Sequence, residues 1–248
     1  MALGPWFRRF QPTGTPAHRL VCFPHAGGAA SFFFPTAQAL APVADVLAVQ
    51  YPGRHDRLAE PGLTDIGALA DAVYAAMIDL PAIPLTLFGH SMGAVVAYEV
   101  ARRLRRAQPG AALHLVVSGR RAPHLGRRDD PRLDDDKALL AHVRALGGTA
   151  DDLLDDADLC ELILPALRAD YQAVSAYEWA ADGQPPPCSI TALTGDQDPY
   201  ATPFEVEAWR QHSRDPFVLE VLPGKHFYLV DQTAAVHRIL RDRLTRTE

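Results

Sequence analysis

An α/β fold is what this sequence predicts: a mostly parallel central sheet, helices on both of its faces and a helical lid insertion. Three observations carry it. Six short apolar runs read as buried strands, segments of helical spacing lie between most of them, and one interval, from Val117 to Ile190, is about 70 residues long. Strands that alternate with helices pair in parallel because each needs a crossover, and the crossovers cover both faces of the sheet.

The strand runs are Leu20 to Phe23, Val43 to Val49, Leu85 to Phe88, Leu113 to Val117, Ile190 to Leu193 and Phe217 to Leu222. Between the second and third, Ile66, Leu69, Ala70, Val73 and Met77 fall on one helical stripe, and after the third Val95, Val96, Val100 and Leu104 do the same. The long interval contains two more amphipathic stripes. Leu139, Leu140, Val143 and Leu146 mark one; Leu159, Leu162, Ile163, Leu167, Asp170, Tyr171 and Val174 mark a longer one. The reading is a single domain over residues 1–248 with a lid inserted at about 131–183. Acidic clusters at Asp129-Asp130, Asp134-Asp135-Asp136, Asp151-Asp152 and Asp155-Asp156 lie near expected helix starts, where carboxylates cap and favour the dipole, so metal binding is not the expectation. Pro185-Pro186-Pro187 marks a stiff return to the sheet.

At 248 residues the chain can bury a generous core, and a net charge of −6 with 22% charged residues argues against wholesale nucleic-acid binding. No run of 18 apolar residues suggests a membrane span, and the first ten residues have no apolar stretch of the kind that directs export. Cys22, Cys160 and Cys188 are odd in number, widely spaced and outside any C-x-x-C pair, so neither a disulfide framework nor a zinc site is expected and a reducing cytoplasm fits best. Nothing in the motifs calls for a cofactor or a metal. Oligomeric state is not legible.

The chemistry begins at Gly89-His90-Ser91-Met92-Gly93, a G-x-S-x-G in which an apolar strand runs directly into a helical pattern. That is the form of a nucleophile elbow, where a sharp turn leaves no room for Cβ atoms at the flanking positions and lifts the Ser91 hydroxyl to the apex. A serine hydroxyl is a poor nucleophile until an imidazole takes its proton and a carboxylate orients the imidazole, so an Asp and a His are required on later loops. Thr194-Gly195-Asp196-Gln197-Asp198-Pro199 follows the fifth run and Pro223-Gly224-Lys225-His226-Phe227 follows the sixth, both at the carboxyl ends of strands. His226 is the expected base and Asp198 the expected orienting carboxylate, with Asp196 as the alternative. His90 points the wrong way from an elbow to serve Ser91. An oxyanion hole needs two backbone N–H groups: Met92 is one, and Phe23-Pro24-His25-Ala26-Gly27-Gly28 supplies the other at Ala26, with Gly27 second. His25 reads as a loop-shaping residue.

Five blocks, Phe23-Pro24-His25-Ala26-Gly27-Gly28-Ala29, Tyr51-Pro52-Gly53-Arg54, Gly89-His90-Ser91-Met92-Gly93, Ser118-Gly119-Arg120-Arg121-Ala122-Pro123 and Gly195-Asp196-Gln197-Asp198, together resemble the type II thioesterases of polyketide and nonribosomal peptide synthesis, members of the α/β-hydrolase superfamily. The resemblance implies a discrete enzyme that hydrolyses acyl groups from the phosphopantetheine arm of acyl or peptidyl carrier domains. It implies a nucleophile at Ser91, an aspartate at Asp198, a base at His226, oxyanion donors at Ala26 and Met92, and a lid that shapes the acyl pocket. The arginines Arg102, Arg103, Arg105 and Arg106 late on the helix after the elbow, and Arg54 and Arg57, are candidates for an acidic carrier surface, weighed against simple solvated placement. The same fold and triad would serve a small-molecule esterase or an acyltransferase, and the fold alone could serve a non-catalytic acyl-binding or synthase-bridging protein.

Overall fold

The computed structural model describes residues 3–12, 14–126, 135–148, 155–181 and 187–245. Its strands are β1 (Phe7–Arg8), β2 (Arg19–Phe23), β3 (Asp45–Val49), β4 (Leu85–His90), β5 (Leu113–Ser118), β6 (Ser189–Gly195) and β7 (Arg214–Leu222). They form one seven-stranded sheet in the order β1-β3-β2-β4-β5-β6-β7, antiparallel at β1–β3 and parallel at every other pair. Each of the six apolar runs falls on a strand, although Val43 and Ala44 precede β3. The seventh, β1, is two residues long, too short to show a period. β7 begins three residues earlier than its apolar run and contains Pro216, which an edge strand tolerates because one side of its ladder is unpaired.

The helices are α1 (Phe34–Leu40), α2 (Ile66–Ile78), α3 (Met92–Ala107), α4 (Asp136–Leu146), α5 (Ala157–Ala176), α6 (Pro203–Glu207), α7 (Tyr228–Asp231) and α8 (Thr233–Thr245). Side-chain alternation along a buried strand feeds both faces. In β2, Leu20 and Cys22 join Ala37 and Leu40 of α1 and Val236, Ile239 and Leu240 of α8. Val21 and Phe23 turn the other way, against Ile66, Leu69 and Val73 of α2 and Val95, Val96 and Val100 of α3. Each buried Val, Leu, Ile or Phe among them contributes about 1.5–3 kcal/mol by leaving water, and this holds α2 and α3 in place beneath the elbow.

The chain runs from β2 to β3 on one side and then to β4 on the other, so the strand order reverses between β2 and β4. A crevice opens outside the carboxyl ends of strands at such a reversal. The loops after β2 and β4 meet there.

Helices α4 and α5 lie between β5 and β6, inside the long interval. Asp135 caps α4 by accepting from the Ala138 N–H at 2.7 Å, and Asp156 caps α5 by accepting from Asp158 and Leu159. The capping expectation therefore holds at those two positions; Asp129, Asp130, Asp134, Asp151, Asp152, Pro185 and Pro186 lie outside the described residues, as do both ends of the expected lid. Leu139 and Val143 of α4 pack with Leu167 of α5. α5 in turn seats on glycines of the core: Leu167 lies against Gly27, Ala166 faces Gly53 and Ala169 faces Gly62.

Arg106 is exposed at the end of α3, as solvated placement requires, whereas the other five arginines differ from expectation. Arg102 and Arg103 share Glu99 as acceptor, at 2.7 and 2.9 Å, and Arg103 also bonds Asp71 of α2 at 2.6 Å, so they tie α3 to its neighbour. Arg105 donates to the carbonyls of Pro109 and Pro187. Arg54 and Arg57 are buried, at 6% exposure each, and neither offers a charged surface to a partner. Arg57 bonds the Gln50 carbonyl and Glu60 and lies over the Trp6 ring; Arg54 belongs to the site described below. Among the described residues no helix is long and apolar enough to cross a membrane.

Candidate active site

Ser91 stands between the last residue of β4 and the first of α3 with φ 55° and ψ −118°, a left-handed φ that a side chain rarely adopts. The flanking glycines make that turn possible. A Cβ on Gly89 would lie 2.5 Å from the Ala94 nitrogen, and one on Gly93 would lie 2.6 Å from both the Phe23 carbonyl carbon and the Pro24 oxygen. The first turn of α3 is thus pressed directly onto the loop after β2. Ser91 is half-buried, its N–H is held by the Ser118 carbonyl at 2.8 Å, and its hydroxyl does not cap α3.

His226 and Asp198 come together from the loops after β7 and β6. Imidazole Nδ1 and carboxylate Oδ2 are 2.8 Å apart, and both side chains are almost wholly buried. Asp198 Oδ1 accepts from the backbone N–H groups of Tyr200 at 2.9 Å and Ala201 at 3.2 Å, so both oxygens are engaged and the carboxylate cannot rotate freely. The two loops touch backbone to backbone: a Cβ on Gly195 would lie 2.6 Å from the Lys225 carbonyl oxygen. Asp196, the alternative carboxylate, instead accepts from the Gly224 N–H at 2.8 Å and steadies the loop that carries His226. No hydrogen bond joins Ser91 to His226; the structure brings them to the same rim, where His90, next to Ser91 in sequence, lies with its ring centroid 5.0 Å from that of His226.

His90 itself is turned into the protein. Its Nδ1 bonds Ser118 Oγ at 3.0 Å, and Ser118 Oγ bonds the Tyr228 hydroxyl at 2.6 Å. Gly119, at φ 58°, makes room for it, since a Cβ there would lie 2.6 Å from His90 Cε1. This chain from the Ser-Gly-Arg-Arg-Ala-Pro block to the elbow was not legible beforehand, because nothing local to either segment marks the contact. His25 packs edge-on to Phe32, His90 and Phe227. Burial, and secondarily the nearness of His226 and Arg54, lowers its pKa to about 3; burial first, then His226 and His25, lowers that of His90. Both rings are therefore neutral; that of His25 packs against His90 and Phe227, and that of His90 against His226.

Of the two candidates for the one donor expected on the loop after β2, the second choice, Gly27, is engaged, donating to Asp170 Oδ2 at 2.7 Å. The N–H groups of Ala26 and of Met92, the first residue of α3, bond no acceptor among the described residues. Asp170 was not foreseen as a site residue. Its signal was present, since it falls on the apolar stripe of α5, where a charge needs a buried partner. That partner is Arg54, whose Nη1 and Nη2 reach the two carboxylate oxygens at 2.6 and 2.9 Å. Among the described residues no group of three or more His, Cys, Asp or Glu side chains is arranged to hold a metal ion.

The thioesterase domain family matches residues 18–244. Thioesterase PikA5 of Streptomyces venezuelae is 45% identical over 245 residues, covering 98% of this chain and 87% of that protein. A probable cadicidin biosynthesis thioesterase of Streptomyces griseus is 44% identical over 233 residues, covering 94% of this chain; the chain spans 64% of that relative's length. Among solved structures, the type II thioesterase BorB from the borrelidin biosynthetic cluster superimposes with a TM-score of 0.89 at 44% identity, over 96% of this chain and 97% of that one.

Proposed function

This chain belongs to the thioesterase family, on the α/β-hydrolase fold, and is a hydrolase of thioesters; from that premise we propose that it acts as a separate, type II enzyme, clearing acyl groups from the phosphopantetheine arm of acyl or peptidyl carrier domains in polyketide or nonribosomal peptide synthesis. In this reading residues 1–248 act as one domain, α4 and α5 form its lid, and Ser91, His226 and Asp198 are the catalytic residues. The observations that carry it are the left-handed φ of Ser91 at the end of β4 and the buried His226–Asp198 couple on the neighbouring loops at the same rim of the sheet.

Ser91 Oγ attacks the thioester carbonyl while His226 Nε2 takes its proton; Asp198, bonded at Nδ1, holds the ring in the tautomer that leaves Nε2 unprotonated and then stabilises the imidazolium. The carbonyl oxygen becomes an oxyanion facing the Ala26 and Met92 N–H groups, each such donor being worth about 3–4 kcal/mol in the transition state. Collapse breaks the C–S bond. The departing thiol, with a pKa of about 8.5, leaves far more readily than an alcohol and takes the proton from His226. Water then adds to the acyl-enzyme with His226 again as base, releasing the carboxylic acid and returning the proton to Ser91.

The test is the intact mass of an acyl-loaded carrier domain incubated with wild type and with Ser91→Ala. Wild type should restore the free thiol arm and the variant should not. Loss of the acyl group at equal rates with both proteins, or faster turnover of simple oxygen esters than of the loaded carrier, would overturn the proposal.

A further inference from the structure

Asp170 belongs to α5, yet its carboxylate reaches the loop that carries Ala26. It is 1% exposed, and both oxygens are used: Oδ1 accepts from Arg54, and Oδ2 accepts from Arg54 and from the Gly27 N–H. Arg54 also donates to the Gly28 and Pro52 carbonyls, both at 3.1 Å. Gln50 completes the grip, donating to the Arg54 carbonyl and accepting from the Ala30 N–H, each at 3.1 Å. Three buried side chains therefore hold residues 27–30 of the loop at Gly27 N–H, Gly28 C=O and Ala30 N–H.

We infer that Asp170 is a positioning residue for the oxyanion hole, aiming the Ala26 N–H by holding the peptide plane that follows it. The inference rests on the assignment of Ala26 and Met92 as the donors. A trans peptide is planar, with its C=O and N–H opposed. The Gly28 N–H bonds the His25 carbonyl at 2.9 Å, which sets the plane that carries the Ala26 N–H and turns that N–H away from the loop's interior. Asp170 sets the next plane through Gly27. With both planes pinned, the φ and ψ of Ala26 have little freedom left. A water could accept from Gly27 too, but a carboxylate makes the stronger, charge-assisted bond, and Arg54 neutralises it so that the oxyanion nearby is not repelled. Because Asp170 and Leu167, which lies against Gly27, both sit on α5, seating of this helix and alignment of the hole are a single event.

The experiment compares wild type, Asp170→Asn and the double variant Arg54→Met with Asp170→Leu, which removes the buried charges together and leaves the Gly27 N–H without its acceptor. Folding is followed by circular dichroism and thermal melts, and turnover of an acyl-loaded carrier domain gives kcat and KM. Positioning predicts kcat lower by roughly 10- to 100-fold in both variants, with KM within about twofold of wild type, in proteins that remain folded. Reaction of Ser91 with a fluorophosphonate is measured beside it: Oγ displaces fluoride from phosphorus and the phosphoryl oxygen occupies the hole, so this rate should fall by a similar factor. Recovery of the wild-type kcat in the double variant would mean that Asp170 matters only for burying a charge, and would overturn the inference. So would unchanged phosphonylation in both variants. A wild type that reacts with the fluorophosphonate but leaves the carrier thioester intact would defeat the proposed function alone, because the phosphonylation rates would still report on Asp170.

Discussion

The backbone at Ser91 allows a direct measurement of what the elbow costs. Replacing Ser91 by Ala keeps a Cβ at φ 55°, ψ −118°, whereas replacing it by Gly removes the Cβ that makes this conformation unfavourable. Strain of this kind costs about 1–3 kcal/mol, and glycine gives back about 0.5–1 kcal/mol through the greater entropy of the unfolded chain. Ser91→Gly should therefore be more stable than Ser91→Ala by about 0.5–2 kcal/mol. Unfolding entropy near the midpoint is about 2.1 cal/mol/K per residue, or about 0.5 kcal/mol/K for 248 residues, so the Gly variant should melt about 1–4 °C above the Ala variant. Since the hydroxyl caps nothing, Ser91→Ala itself should melt close to wild type. Scanning calorimetry of the three proteins at one heating rate decides it. A Gly variant that melts at or below the Ala variant, as it would at an ordinary backbone position, would show that no strain is stored there.

Gly93→Ala should cost about 1–3 kcal/mol of stability and about 100-fold in kcat, because its Cβ meets the rigid backbone at Phe23 and Pro24 and pushes the Met92 N–H away from the Ala26 loop; steady-state kinetics and melts check both effects, and a wild-type kcat would be incompatible with the packing described. Asp198→Asn should lower kcat about 10³- to 10⁴-fold by stabilising the wrong His226 tautomer, with a melt that reports a folded protein; a loss below tenfold would remove Asp198 from its role. His25 and His114, each held to about 3 by burial, and His212, held to about 4, take up protons less readily in the folded than in the unfolded chain. The unfolded state therefore binds the extra protons, and stability is fully present above about pH 6.5 and lost as the pH falls toward those values. At pH 5 each contributes a loss of up to about 2 kcal/mol, so urea midpoints at pH 7 and pH 5 should differ strongly, and less so in His25→Phe; identical pH dependence in that variant would contradict the burial argument.

Much of this protein was determined locally. Six strands, the stripes of α2 to α5 and the elbow were legible because burial on one face and the steric needs of a turn are written into neighbouring residues, as in Gly89 and Gly93 around Ser91. Only the tertiary structure decided the pairings. Both Asp196 and Asp198 suit a loop at a strand's end, and the contact of Gly195 with the Gly224–Lys225 backbone is what sends one to Gly224 and the other to His226. Arg54 and Arg57 read as surface charges until α5 and the Gln50 carbonyl buried them, and Gly27 read as a free donor until Asp170, 143 residues away, claimed its N–H. Such contacts depend on where an inserted helix settles against the core, and a local pattern, which records only which face of a segment avoids water, carries no information about the partner it meets there.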